Sequence, residues 1–192
     1  MQNTRIEQFD KAAGMRKESA DALMDYWLQH NIYESFEFWL LVALFLFPLV
    51  LLAFKIDKRH IFMVGFFGFS VHVLSLYMNV VGINKGFWNF PIPVLPFLPA
   101  VAFDASLVPI TYMLVFQWTN NNKKNYYLFA IITSMFFAVI LEPILLQMEI
   151  FKLYGNINYI HRLIGYISIS FIAKLLTNLL LLIHEKSKIN HQ

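Results

Sequence analysis

The chain has 192 residues, of which 58% are hydrophobic and 14% charged, and its mean hydropathy is +0.56; a soluble domain averages roughly 45–50% and 25%. A surplus of that size excludes a disordered chain and cannot be hidden in a core of this length, so lipid must take it up. With no cysteine, disulfides, thiolate metal sites and a cysteine nucleophile are excluded, and the net charge of +3 suits the basic inner loops of a membrane protein.

The first 33 residues contain nothing apolar enough for a signal peptide. Ile6, Phe9, Ala13, Ala20, Met24 and Trp27 recur there at three-, four- and seven-residue steps with charges between them. That spacing predicts an amphipathic helix, lying in the membrane interface or docked on the bundle or a partner chain. A first span follows at 36–54, without any polar stripe, and is expected to face lipid. The second, at 61–81, carries Gly65, Gly68, His72, Ser75 and Asn79 on one face. Between the second and third spans lies an apolar stretch with Pro91, Pro93, Pro96 and Pro99. Proline excludes helix there until about Phe97, leaving either a cap over the bundle mouth or a passive interfacial loop.

The third span, 97–118, carries Ala100, Asp104 and Thr111. The fourth, 126–148, carries Ser134, Ala138, Glu142 and Glu149, and the fifth, 163–183, carries Tyr166, Ser170, Lys174 and Asn178. Prolines follow both acids, and the helical rule says that Pro109 frees the carbonyl of Ala105 and Pro143 that of Val139. The expected organisation is therefore an all-α, polytopic helical bundle in one domain: an interfacial helix at 1–33, five spans within 34–185, and a polar tail at 186–192.

Lys55, Lys58, Arg59, Lys123, Lys124, Lys186 and Lys188 fall on one side of these spans, and only Lys85, Lys152 and Arg162 in the opposite loops. The positive-inside rule then puts the C-terminus in the cytoplasm and the N-terminus outside a cell membrane. Counted from the inner ends at about 1.5 Å per residue, His72, Asp104, Glu142 and Lys174 lie at about 18, 21, 25 and 15 Å. Two acids, a base and a histidine at similar depth predict one internal cluster, with Asn79 and Asn178 beside it.

Charges at mid-bilayer are costly, so such a cluster needs a reason. Lys174 can pair with Asp104 or Glu142 and merely fix helix packing. The group can instead form a binding cavity or a proton or ion pathway, in which Lys174 is the counter-charge. A carboxylate pair acting as acid and base, or a metal on His72, Asp104 and Glu142, are further readings. No G-x-S-x-G, H-E-x-x-H or Walker loop supports an enzyme, and no basic patch interleaved with aromatics supports nucleic-acid binding.

Two segments, FLPAVAFDASLVPITYMLVFQW and AVILEPILLQMEIFKLYGNINYIHRLIGYI, carry a D…P…Y-M-L…Q pattern and a late Glu-Pro. The residues are Asp104, Pro109, Tyr112, Met113, Leu114 and Gln117, then Glu142 and Pro143, followed by an aromatic, basic loop from Tyr154 to Arg162. In these the chain resembles a set of small uncharacterised multi-spanning membrane proteins of Gram-positive, mostly spore-forming, bacteria. A Trp-Lys pair expected after the Glu-Pro is replaced by Asn158-Tyr159-Ile160-His161. The resemblance implies the span layout and points at Asp104 and Glu142; it brings no activity with it.

The expected function is binding or transport of a small polar solute or ion, without a cofactor. Asp104 and Glu142 bear the charge, Lys174 balances it, and His72, Asn79 and Asn178 line the path. The lipid bilayer is the expected partner, with assembly as a homo-oligomer or as a subunit of a membrane complex. A structural or interaction protein is the second expectation, and an intramembrane enzyme the third.

Overall fold

The computed structural model describes the backbone of residues 2–189 and the side chains of residues 4–187. Residues 190–192 of the expected polar tail lie outside them. Seven α-helices and one two-stranded antiparallel ladder make up the described fold.

Helix α1 (Gln2–Gln29) is exposed along nearly its whole length. Of its expected apolar stripe, Ala20, Met24 and Trp27 are half-buried, whereas Ile6, Phe9 and Ala13 are exposed. The end of α1 is held by Trp27, whose indole N–H donates to Pro93 O at 3.0 Å while its ring meets Tyr33 and Phe38. A left-handed Asn31 and the 3-10 turn Ile32–Glu34 then reverse the chain. Ser35 caps α2 (Phe36–Lys55) by accepting from Phe38 N. Helix α2 buries only Leu41 and Pro48, in keeping with a span that has no polar stripe.

At the far end of α2, Asp57 organises the turn into α3 (Ile61–Asn84). Its carboxylate accepts from the Arg59 backbone and guanidinium and from Asn121 Nδ2. Gln117 clasps the same turn, accepting from Asp57 N at 2.7 Å and donating to Lys55 O at 2.9 Å. Helix α3 is the centre of the bundle, packed on α4 (Val108–Asn121) and α7 (Tyr159–Ile189). Phe67 stacks on Phe116 at 4.4 Å, and Tyr126 meets both rings edge-on.

Among the described residues four helices are long and apolar enough to cross a membrane: Phe36–Lys55, Lys58–Asn84, Tyr126–Gln147 and Tyr159–Ser187. The expected third span is not among them. Its helix begins at Val101 rather than Phe97, because the four prolines keep the preceding stretch in turns. It then passes through a π-turn, Phe103–Leu107, before α4. The fourth span is divided likewise into α5 (Tyr126–Met135), a π-turn at Phe136–Leu141, and α6 (Glu142–Gln147). Polar Lys186 and Lys188, expected in a tail, continue the α7 backbone.

The loop after α3 folds inward as a cap. Strand β1 (Trp88–Asn89) pairs with β2 (Lys152–Leu153), Trp88 opposite Leu153, which ties this loop to the one after α6. Trp88 and Phe90 are buried, and Phe90 packs on Phe103 and Phe151. Left-handed Gly86 (φ +67°) makes the turn into β1. Gly82 is needed for closeness, since a Cβ there would run into the Trp88 indole.

Gly82→Ala is therefore expected to displace Trp88 and destabilise the cap by about 1–3 kcal/mol, as overpacking does elsewhere; melting in detergent with near-UV dichroism measures it. At the other end, the Arg59 side chain and backbone N–H hold the Asp57 carboxyl well below the usual carboxylate range. A carboxyl lowered on folding stabilises above its unfolded value of about 3.9, and the stabilisation is lost as pH falls through the folded value. The melting temperature of the wild type should thus fall further in acid than that of Asp57→Asn.

Candidate functional site

The two π-turns share one feature, a proline just beyond each. At the end of the first, Val108 N–H donates to Phe103 O, five residues back, and the next residue, Pro109, has no N–H. In that i→i−5 register the donor that Pro109 lacks is the one Asp104 O would receive. His72 answers it: Nδ1 stands 2.7 Å from Asp104 O. A carbonyl only accepts, so Nδ1 carries the hydrogen and donates. In the second turn, Glu142 N–H donates to Phe137 O and Pro143 follows, so the donor that Pro143 lacks is the one Ala138 O would receive. Each turn thus brings an acid to the bundle interior beside an interrupted helical ladder. Asp104 and Glu142 are 2% and 3% exposed.

A chain of fixed polarity leads to Asp104. Trp88 Nε1 donates to Asn79 Oδ1 at 2.8 Å, and Asn79 Nδ2 donates to Asp104 Oδ1 at 2.7 Å. An indole can only donate, so it sets the amide's orientation and leaves the Asn79 NH2 facing the carboxylate. Glu142 is held from α7 instead. Arg162 Nε donates to Glu142 Oε1 at 2.7 Å, Tyr166 Oη donates to the same oxygen at 2.8 Å, and Arg162 Nη2 donates to Tyr166 Oη at 3.0 Å. The guanidinium carbon lies 4.4 Å from the Trp88 ring centre and 5.1 Å from that of Phe151, within cation–π range. Trp88 therefore contacts both acids through one intermediary each.

Asp104, Glu142, Arg162, Tyr166, Ser75 and Asn79 line one cavity of about 10 Å³, room for about one water molecule. Ser75 Oγ, Asp104 Oδ2, Glu142 Oε2 and Arg162 Nη1 are buried with no hydrogen-bond partner among the described residues. The four atoms belong to four residues of this one cavity, and in a non-aqueous surround each such atom costs several kcal/mol if left unmatched.

Of the residues expected at the site, the structure brings Asp104, Glu142 and Asn79 to the cavity and sets His72 behind it on the Asp104 backbone. Lys174 is elsewhere. Its ammonium lies 4.5 Å from the Phe116 ring centre and 5.9 Å from that of Tyr126, and it pairs with neither acid. The counter-charge expected of Lys174 is Arg162, which stands twelve residues, about 18 Å of helix, nearer the capped end. Asn178 is half-buried further down α7 and is not among the residues that line the cavity. Glu149, expected on the fourth polar stripe, is exposed beyond the end of α6. His72 turns to a backbone carbonyl, so it does not join the carboxylates as the metal reading requires.

The charge pattern of the sequence places Arg162 in an outer loop. It lies in the first turn of α7, 3% exposed, and it extends the four-residue ladder of Tyr166, Ser170, Lys174 and Asn178 by one step. That periodicity was the available signal. Trp88 and Ser75 complete the site; Ser75 was on the expected stripe, but nothing in sequence placed the loop tryptophan between the acids.

Comparison of the chain with protein-family models, with curated proteins and with solved structures gives no match.

Because Arg162 and Glu142 are buried against each other, losing one leaves the other charge uncompensated, at about 3–5 kcal/mol. Arg162→Met is expected to destabilise the protein by that amount. The double variant Arg162→Met with Glu142→Gln should recover most of the loss, as a double-mutant cycle of unfolding in detergent would measure.

Proposed function

We propose that the chain is an integral membrane protein of five spans that binds or transports a small polar solute or ion at the cavity between Asp104 and Glu142. The four long apolar helices support the membrane setting, and the helical stretch 101–121 supplies the third crossing, its polar turn sheltered by α2 and α3. Helix α1 is the interfacial element on the capped side. The orientation has the N-terminus outside and the C-terminus in the cytoplasm of the cell membrane. The Asp57 side holds seven basic residues, and the capped side holds Lys85 and Lys152 together with Arg5, Lys11, Arg16 and Lys17 of α1, which Glu7, Asp10, Glu18, Asp21 and Asp25 outnumber there. The likeness to small multi-spanning proteins of Gram-positive spore formers belongs to this reading, since its two motifs are the ones that carry the acids.

The observation that carries the functional reading is the set of four unpartnered polar atoms on one cavity lined by two acids and an arginine. Packing alone does not require them: a structural cluster is better served by apolar residues of the same volume. Intramembrane acids beside broken helices are the usual parts of ion and proton paths.

A second reading, as an interaction subunit or homo-oligomer, draws on α1. Ile6, Phe9, Met15 and Leu23 are exposed there on a helix held only at its end.

Flux separates the two. Purified protein in liposomes is expected to carry protons or one of sodium, potassium and chloride above the rate of empty vesicles. Asp104→Asn and Glu142→Gln should each reduce that flux at least about tenfold, the effect of about 1.4 kcal/mol on a barrier. Wild-type flux in both variants, with a phenotype lost only on deleting residues 1–30, would leave the interaction reading in its place.

A further inference from the structure

We infer that the species handled at the cavity is the proton, shared between Asp104 and Glu142 through a single water molecule held by Ser75 and Arg162. The inference rests on the proposed ion-binding reading and names its ion.

The direction of every hydrogen bond at the two acids leads there. Asp104 Oδ1 receives the Asn79 NH2, whose orientation Trp88 dictates, so that oxygen is an acceptor. Glu142 Oε1 receives both the Arg162 Nε–H and the Tyr166 hydroxyl, so it too is an acceptor. Each carboxyl then has one oxygen on which a proton can sit, Asp104 Oδ2 and Glu142 Oε2. These are the two carboxyl oxygens without a protein partner, on residues that face one cavity.

The remaining unpartnered atoms are an Arg162 Nη1–H, which donates, and the Ser75 hydroxyl, which donates or accepts. One water donates twice and accepts twice. With one proton on the pair, it accepts from the protonated carboxyl and from Arg162 Nη1–H and donates to the other carboxylate oxygen and to Ser75 Oγ, and the cavity of about 10 Å³ has room for one. A solute of several heavy atoms does not fit.

The step balances without any other reactant. Asp104 Oδ2–H gives its proton to the water, and the water gives another of its protons to Glu142 Oε2. Asp104 is left as carboxylate, Glu142 as acid and the water unchanged. The charged and titratable groups around the pair are Arg162 and Tyr166 from α7 and His72 from α3, the last reaching only the Asp104 backbone carbonyl. Arg162 keeps at least one of the two acids ionised, so the site holds one mobile proton and not two.

Infrared titration of the protein in liposomes tests this, with ordinary water and with water labelled with oxygen-18. The wild type is expected to show a protonated-carboxyl band that is altered by Asp104→Asn and by Glu142→Gln alike, because the two acids titrate as a unit. A water O–H band that shifts with the label should be lost in Ser75→Ala, a variant that removes one partner of the water and leaves the ion pair intact. Two carboxyls that titrate independently, or a Ser75→Ala spectrum identical to wild type, would overturn the inference. If proton sharing is missing while sodium, potassium or chloride is transported, the ion-binding reading stands and only its proton form fails. If sharing is seen without any flux, the proton site stands and transport fails.

Discussion

A guanidinium placed among membrane-spanning helices must find an anion and use its other donors, or its burial is prohibitive. Arg162 meets both demands through Glu142 and Tyr166, and three aromatic rings enclose it. Much of the capped end follows from that requirement. The Trp88 ring that shields the arginine also orients Asn79, and Asn79 sets the hydrogen-bond polarity at Asp104. Gly82 is bare so that the indole can come close, and the β1–β2 pair keeps its loop in place. Loop, cavity and both acids are therefore one construction around a single buried cation.

The second organising element is the coupling of proline to a π-turn. A proline inside a helix deletes a donor, and widening the preceding turn changes which carbonyl is orphaned. In the first case the orphan is the backbone oxygen of the acid itself, and a histidine from α3 supplies the missing hydrogen. In the second, Glu142 sits at the seam between π-turn and α6, where its side chain reaches α7. The same local device appears twice on opposite walls of one cavity, and each time it presents a carboxylate.

Much of this was legible in the residues. The apolar stretches, the polar stripe of α3, the bareness of α2 and the common depth of Asp104 and Glu142 follow from composition and helical period alone. Lys174 shows where such reasoning ends. Depth counted from one helix end carries an error of several ångströms. A base one layer lower in the bundle therefore looked like the partner of acids that Arg162 satisfies. Arg162 itself reads as loop because four of the six residues from Tyr154 to Tyr159 are polar or aromatic, although its place on the ladder with Tyr166 and Ser170 is visible. Sequence likewise shows each proline but not the register of the turn ahead of it, and that register brings Asp104 O and Ala138 O into line with the missing donors.

What the sequence determined by itself is the set of long apolar helices and the acids that fall among them, because hydrophobic excess and the rarity of charge within it are properties of composition and order along the chain. Which base answers which acid, and which oxygen of each carboxyl stays free, was decided only in the tertiary structure. Those outcomes depend on angstrom-scale contacts between residues as distant in sequence as Trp88, Asn79, Asp104 and Arg162. Hydrogen-bond direction, unlike hydropathy, has no periodicity from which to read it.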